Sequence, residues 1–251
     1  MGKASAEAGS RNAILNALSQ DEVARMAPHF SRVEGALGDP ILQPGDPIDR
    51  LGFPETAMAS AMGITAEGGT AEIGLIGWEG VVGLSRLFGS MSQPNLINFQ
   101  MPGEMVVIPA GVAEEEFARG GNFQRAVLRF ANDLMVQLGR TAVCNAVHGL
   151  EKRLAKWLLM CHDRIDDDII HLTHEALADM SFAHRPTVTK VLSDFRAQGL
   201  IGTSRAQVEI LSRAGLVALA NGSYGAAARY YDEHICAFGK GPGENRGDLA
   251  A

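Results

Sequence analysis

The run Arg185-Pro186-Thr187-Val188-Thr189-Lys190 places a planar guanidinium, two hydroxyls and an ammonium within six residues. Groups of this kind bind charge and base edges; they break no bonds. An arginine fork matches the O6 and N7 acceptors of guanine, and a lysine one turn later reaches a base or a phosphate. Threonine donates to phosphate or touches a thymine methyl. Small side chains ahead of Lys190 let such a helix sit deep in a groove. Pro186 belongs in the first helical turn, where its missing amide would have had no partner and its fixed φ favours the helix start.

These groups need a scaffold. Val188, Val191, Leu192 and Phe195 recur at i, i+3, i+4 and i+7, which turns Arg185, Thr187, Thr189, Lys190 and Arg196 to other faces. Upstream, Thr173 can cap a short helix over His174 to Met180, with Ala176, Leu177 and Met180 turned inward. The break Ser181-Phe182-Ala183-His184 separates the two. Two short helices joined in this way fit a helix-turn-helix, whose second helix presents its N-terminal residues to the major groove. His184, Arg185, Pro186, Thr187, Thr189 and Lys190, with Thr173, are therefore the expected DNA contacts. After Gly199, a good C-cap, Leu200 to Thr203 and Gln207 to Leu211 alternate as a hairpin with Ser204-Arg205-Ala206 at its tip. Such a hairpin is a wing, and Arg205 would meet backbone phosphate. A helix from Leu150 to Ile165, with Leu154, Trp157, Leu158 and Cys161 on one face, precedes the pair.

The first half of the chain differs in character. Ser19-Gln20-Asp21-Glu22 matches a capping box, so a short helix should run to about Phe30. From Pro40 to Pro109, short apolar stretches alternate with turn signals such as Pro44-Gly45-Asp46, Glu67-Gly68-Gly69 and Met101-Pro102-Gly103. Strands at that spacing predict a β-sandwich or barrel. Phe123 to His148 holds no proline, and Val127, Phe130, Leu134 and Leu138 recur at three- and four-residue steps. A helix of about 26 residues extends about 39 Å. Its stripe either packs on its own barrel or meets a second copy; the length favours the second copy, with those four residues as the dimer seam.

Composition sets the outer limits. The 251 residues carry a net charge of −7, distributed unevenly. Residues 1 to 149 hold 10 Lys and Arg against 16 Asp and Glu, whereas residues 150 to 213 hold 9 against 9. A neutral region still binds a polyanion if its cations share a face. No run of about 18 apolar residues is present to span a bilayer, and MGKASAEAGSRN lacks the apolar block of a signal peptide, so a cytoplasmic protein is expected. Cys144, Cys161 and Cys236 are scattered, which argues against a disulfide framework.

Other chemistry-bearing groups have plainer readings. His171 and His174 near Cys161, His162 and Asp166-Asp167-Asp168 lack the spacing of a zinc site, and no metal is expected. Glu114-Glu115-Glu116 suits the N-terminus of a short helix. Residues 30 to 147 contain no histidine, which opposes a metal-using jelly-roll enzyme, and no nucleophile elbow or phosphate-cradling glycine loop is visible. No enzymatic activity is expected.

With these elements in place the sequence resembles the cyclic-AMP-receptor and fumarate-nitrate-reduction (Crp/Fnr) class of bacterial transcription regulators. The likeness is strongest in EKRLAKWLLM (Glu151 to Met160), LTHEALADM (Leu172 to Met180), RPTVT (Arg185 to Thr189), AQGLI (Ala197 to Ile201) and ILSRAGL (Ile210 to Leu216). With the barrel and Gly80-Val81-Val82-Gly83-Leu84 included, it covers roughly residues 13 to 235. The resemblance implies an α+β chain in five parts. A flexible N-terminus and first helix occupy 1–20, a sensor-like β-roll (cyclic-nucleotide-binding-like jelly roll) 21–121, and a dimerisation helix 122–149. A winged helix-turn-helix occupies 150–220, and a C-terminal helix with a disordered tail 221–251. It implies a homodimer reading a near-palindromic duplex, with RNA polymerase as a further partner. By motif position Arg185 matches the guanine-reading arginine and Lys190 a second basic contact.

Two departures stand out. The turn usually holds glycine where this chain has Phe182, which must then accept an uncommon conformation. Members that bind cyclic nucleotides carry Gly-Glu-Leu and, about ten residues on, Arg-Ser or Arg-Thr; this chain has Gly83-Leu84-Ser85 and Gln93-Pro94-Asn95. A buried phosphate without a cation is costly, so cyclic AMP is not an expected ligand and no cofactor is expected. Arg86 is the nearest substitute cation. The rival to the DNA reading is a β-roll regulator that acts through protein contacts or an unknown small-molecule effector, without DNA recognition of its own.

Overall fold

The Ser19 hydroxyl accepts from the Glu22 amide at 3.3 Å while the Glu22 carboxylate accepts from the Ser19 amide at 2.7 Å, so the expected capping box is closed. The computed structural model describes residues 9–65, 68–225 and 229. Cys236, Glu67 of the expected hairpin turn and the glycine-rich tail lie outside the described residues.

Helices α1 (Ala13–Asn16) and α2 (Gln20–Met26) come first, and a 3₁₀ turn over Ala27–His29 leads from α2 into the strands. These are β1 (Ser31–Gly35), β2 (Pro40–Leu42), β3 (Arg50–Pro54), β4 (Met58–Ile64), β5 (Thr70–Ile76), β6 (Leu96–Met101) and β7 (Gly103–Pro109). Helix α3 (Ala110–Arg119) follows, then α4 (Asn122–Val147), 26 residues without a break, and α5 (Leu150–His162). Strand β8 (Ile169–His171) precedes α6 (His174–Met180) and α7 (Arg185–Ala197). Strands β9 (Ile201–Ser204) and β10 (Gln207–Ile210) and helix α8 (Arg213–Ala220) close the described fold.

The chain divides into two compact units. The first comprises residues up to Met62 together with Gly74–Met135; the second comprises Gly63–Ile73 and the chain from Val136 onward.

Two antiparallel sheets, ordered β1-β7-β3 and β2-β6-β4-β5, form a roll. Register settles which side chains share a face: Val33 pairs Met105 and Gly52 pairs Val107, whereas Phe53 pairs Val106 and Leu51 pairs Ile108. The second set packs with helix residues Met26, Ala113, Phe123, Val127 and Phe130 in one buried cluster, where Phe53 and Phe123 meet at 6.3 Å between ring centroids. Burying each such side chain contributes about 1.5 to 3 kcal/mol.

Val127 and Phe130 are 0% and 1% exposed, and Leu134 packs on the same cluster. This corrects the expected dimer seam. The first part of that stripe is covered by its own roll, because a periodic apolar face reports that something covers it and not what. Leu138, further along, is half-buried. What α4 leaves exposed is another stripe: Leu128, Met135 and Ala142 at seven-residue steps, with Gly139 and Ala146 between and beyond, and Val143 and Val147 flanking.

Glu114 and Glu116 fall in the middle of α3, not at its start. They serve as ion-pair partners: Glu116, 3% exposed, takes both Arg25 Nε (2.8 Å) and Nη2 (2.6 Å), and Glu114 takes Arg86 Nε (2.6 Å) and Nη2 (3.0 Å).

Candidate nucleic-acid interface

In the second unit, α6 and α7 rest on a shared core of Leu177, Met180, Val188, Leu192 and Phe195, all under 9% exposed. Thr173 caps α6, its Oγ1 accepting from the Ala176 amide at 3.1 Å. The turn is closed by the Ala183 amide donating to Ala178 O (3.0 Å) and the Ser181 hydroxyl donating to Leu177 O (2.6 Å). Phe182 sits at φ 47°, so the chain does place a bulky residue in the left-handed region where glycine is at ease. Its ring is 63% exposed and lies over Gly69, where a Cβ would come 2.6 Å from Phe182 Cε2. Arg153 Nη1 donates to Ser181 O at 3.2 Å and ties the turn to α5.

His184 is the N-cap of α7, and Pro186 falls in the first turn. His184, Arg185, Pro186, Thr187, Thr189 and Lys190 are all exposed, while Val188 between them is fully buried. Arg185 and Lys190 carry no ion pair among the described residues. The helix dipole adds positive potential at the end where these side chains emerge. Their burial pattern follows from helical spacing: the positions that pack bury the helix, and the positions that remain hold the polar and basic groups.

The third sheet, ordered β8-β10-β9, supplies the wing. Ser204 pairs Gln207, leaving Arg205 and Ala206 at the tip, with Ala206 at φ 57° and Arg205 exposed. Val208 and Ile210 anchor the hairpin in the core, at 1% and 2% exposure.

Sequence reasoning missed the ionic network behind this surface. Arg213, 2% exposed, donates from Nη2 to Asp163 Oδ1 (2.6 Å) and to the Tyr224 hydroxyl (2.5 Å), and that hydroxyl donates to Asp163 Oδ2 (2.6 Å). Its Nη1 lies 3.0 Å from His162 Nδ1, and His162 Nε2 lies 2.6 Å from Asp168 Oδ1. Arginine can only donate, so Nδ1 accepts and the proton resides on Nε2 toward the aspartate. Both ring nitrogens are occupied, which leaves neither for a metal. The legible clue was an arginine inside the apolar run Ile210 to Leu216. Trp157, expected on a core stripe, is 9% exposed and also donates Nε1 to Glu72 Oε1 at 2.8 Å. Burial pushes the Cys161 thiol up.

Two helices at these positions, a turn closed by the preceding helix and a wing whose tip carries an arginine are the parts of a winged helix-turn-helix. Residues 152–219 match the family model described as a Crp-like helix-turn-helix domain. This part of the chain carries a Crp-like helix-turn-helix domain. Over 100 residues, 36% of this chain, it is 35% identical to the transcriptional regulator LdrP of Thermus thermophilus. It spans about half (51%) of the length of the curated relatives it matches. The likeness in fold extends further. The solved structure of TTHB099, a Crp-family transcriptional regulator also from Thermus thermophilus, superposes at a TM-score of 0.66. That match has 20% identity over 78% of this chain and 99% of the other. FixK2 of Bradyrhizobium japonicum superposes at 0.65, with 14% identity over 76% of this chain and 96% of the other.

In this chain the segment after Gly83 forms a 3₁₀ turn, Leu84–Phe88, with Gly83 at φ 84°. Arg86, a nearby candidate for a phosphate cation, is held by both oxygens of Glu114. That pairing holds the Glu114 carboxyl below its usual range. Among the described residues no helix is long and apolar enough to cross a membrane.

Proposed function

We propose that this chain is a homodimeric, sequence-specific DNA-binding transcription regulator. Helix α7 enters the major groove with Arg185 on a guanine edge, Lys190 on a base or phosphate one turn later, Thr187 and Thr189 on backbone or methyl groups, and Arg205 of the wing on phosphate. One observation carries this reading. The first six residues of α7 expose every polar and basic side chain and bury only Val188, on a helix held at its start by a closed turn.

The dimer would form along the exposed stripe Leu128, Met135, Gly139, Ala142 and Ala146 of α4, whose small residues allow close approach of a second copy. The roll does not take cyclic AMP in this reading, because Gly83-Leu84-Ser85 and Gln93-Pro94-Asn95 hold neither the carboxylate nor the arginine and Arg86 is engaged by Glu114. Work inside the cell, in contact with DNA and RNA polymerase, follows from the same reading.

Selection from random duplexes with the purified protein tests it. Enrichment of an inverted repeat with half-sites about 10 base pairs apart is expected. A pool that stays unenriched, with or without effector candidates, contradicts it in favour of a regulator that acts through protein contacts.

A further inference from the structure

Between the two sheets of the roll is a cavity of about 270 Å³. Its floor is Val82, Phe99, Met105 and Val107, all under 9% exposed, and its walls include Ile41 and Leu42. Interiors close-pack, and voids much larger than one water molecule are uncommon in them. This one opens against the face of the β1-β7-β3 sheet that carries Val33, Gly52 and Val107. The two longest lining side chains do not fill the space. The Phe99 ring lies where a Cβ of Gly35 would be, and the Met105 sulfur lies against Gly52. Phe99 is held there by its backbone, which bonds Asp39 O (2.9 Å) and Gly38 N (2.8 Å).

An apolar void of about 150 Å³ stays dry and takes benzene, so about 270 Å³ suits a body of about ten non-hydrogen atoms. The mouth is different in kind. Asp49 and Arg50 line it and are both exposed, so its rim carries one residue of each charge. A carboxylate head would meet Asp49, an ammonium head would meet Arg50, and a neutral head that both donates and accepts is served by each.

We propose that this cavity is a binding site for a small uncharged amphiphile, with an alkyl or aryl body of about ten non-hydrogen atoms inside and a hydroxyl or amide head between Asp49 and Arg50. The proposal rests on reading the roll as the sensor of the regulator, and it names the chemistry sensed.

The probe is n-octanol, compared with octanoate and octylamine, titrated into the full-length protein labelled at its methionine methyl groups and free of DNA. Met105 is identified by the signal lost in Met105→Leu. Octanol should shift the Met105 methyl, raise Tm with concentration and bind more tightly than either charged analogue. Val107→Phe, which fills the cavity, should weaken it about tenfold or more. Arg50→Gln with Asp49→Asn should bring the three probes closer together. No response of Met105 and of Tm to octanol in the wild type overturns the proposal, as does equal or tighter binding of a charged analogue. The Tm and affinity comparisons of the three probes need no variant to fold. Octanol binding without any duplex enrichment would sink the regulator reading and leave the cavity standing; enrichment without octanol binding would do the reverse.

Discussion

Two arginines of the first unit, Arg25 and Arg86, and two of the second, Arg185 and Arg205, are in opposite circumstances, and the difference shows where cations are available. In the roll, Arg25 and Arg86 are each gripped by both oxygens of a glutamate on α3. On the reading surface, Arg185 and Arg205 stand exposed with no ion pair among the described residues. Arg213, behind that surface, is the extreme case of a cation enclosed with its counter-charge. Formal charge gives no hint of this, since the whole chain is acidic. What matters for a polyanion is which cations the fold leaves unpaired on one face.

That contrast can be broken in order of expected effect. Arg213→Ala leaves the Asp163 carboxylate buried without its partner and should cost about 3 to 5 kcal/mol, read as a lowered midpoint in urea unfolding of the second unit. Arg185→Ala should leave that midpoint in place and cost about 1 to 3 kcal/mol of duplex affinity, with base preference relaxed at one position per half-site. Unchanged affinity would remove Arg185 from the base readers. Phe182→Gly relieves a left-handed φ at the cost of added chain entropy and of the contact over Gly69, for a net gain of about 1 kcal/mol in the second unit.

The smallest effect is set by pH. The Arg86 pairing holds Glu114 below its usual range, so its folded pKa lies under the unfolded one. Its contribution is therefore present above about pH 4.5 and is lost as pH falls through the folded value. Glu114→Gln should flatten the acid limb of the Tm profile slightly and leave the neutral plateau in place. A limb unchanged in that variant would mean that the pair adds nothing to stability. Glu22 lies on the same limb: burial raises its pKa, but hydrogen bonds from the Phe123 and Ser19 amides and the Ser19 hydroxyl together outweigh that and lower it.

The reading surface was legible because its signals are local. A proline at a helix start, a four-residue break and apolar positions at i, i+3, i+4 and i+7 decide α7 whatever surrounds it, and Pro186, Val188, Leu192 and Phe195 take the expected places. The departure at Phe182 was legible for the same reason, as a bulky residue at a turn position that asks for positive φ. What sequence could not disclose was partnership across long separations. Arg25 and Glu116 are 91 residues apart, and Trp157 and Glu72 are 85. The stripe Val127, Phe130 and Leu134 read equally well for either partner, and the roll took it. The cavity is illegible for a further reason: it is set by how side chains from five strands fail to fill a space between two sheets, and unfilled space leaves no periodic trace.

The most direct measurement is the salt dependence of affinity for the selected duplex, in the wild type and in three single variants. The wild type should weaken steeply as salt rises, and Lys190→Ala and Arg205→Ala should each make the slope of log affinity against log salt shallower by about 1. Arg86→Ala should leave that slope unchanged, because its charge is already answered by Glu114. A slope indifferent to Lys190 and Arg205, or one that responds to Arg86, would contradict the assignment of the reading face to α7 and the wing.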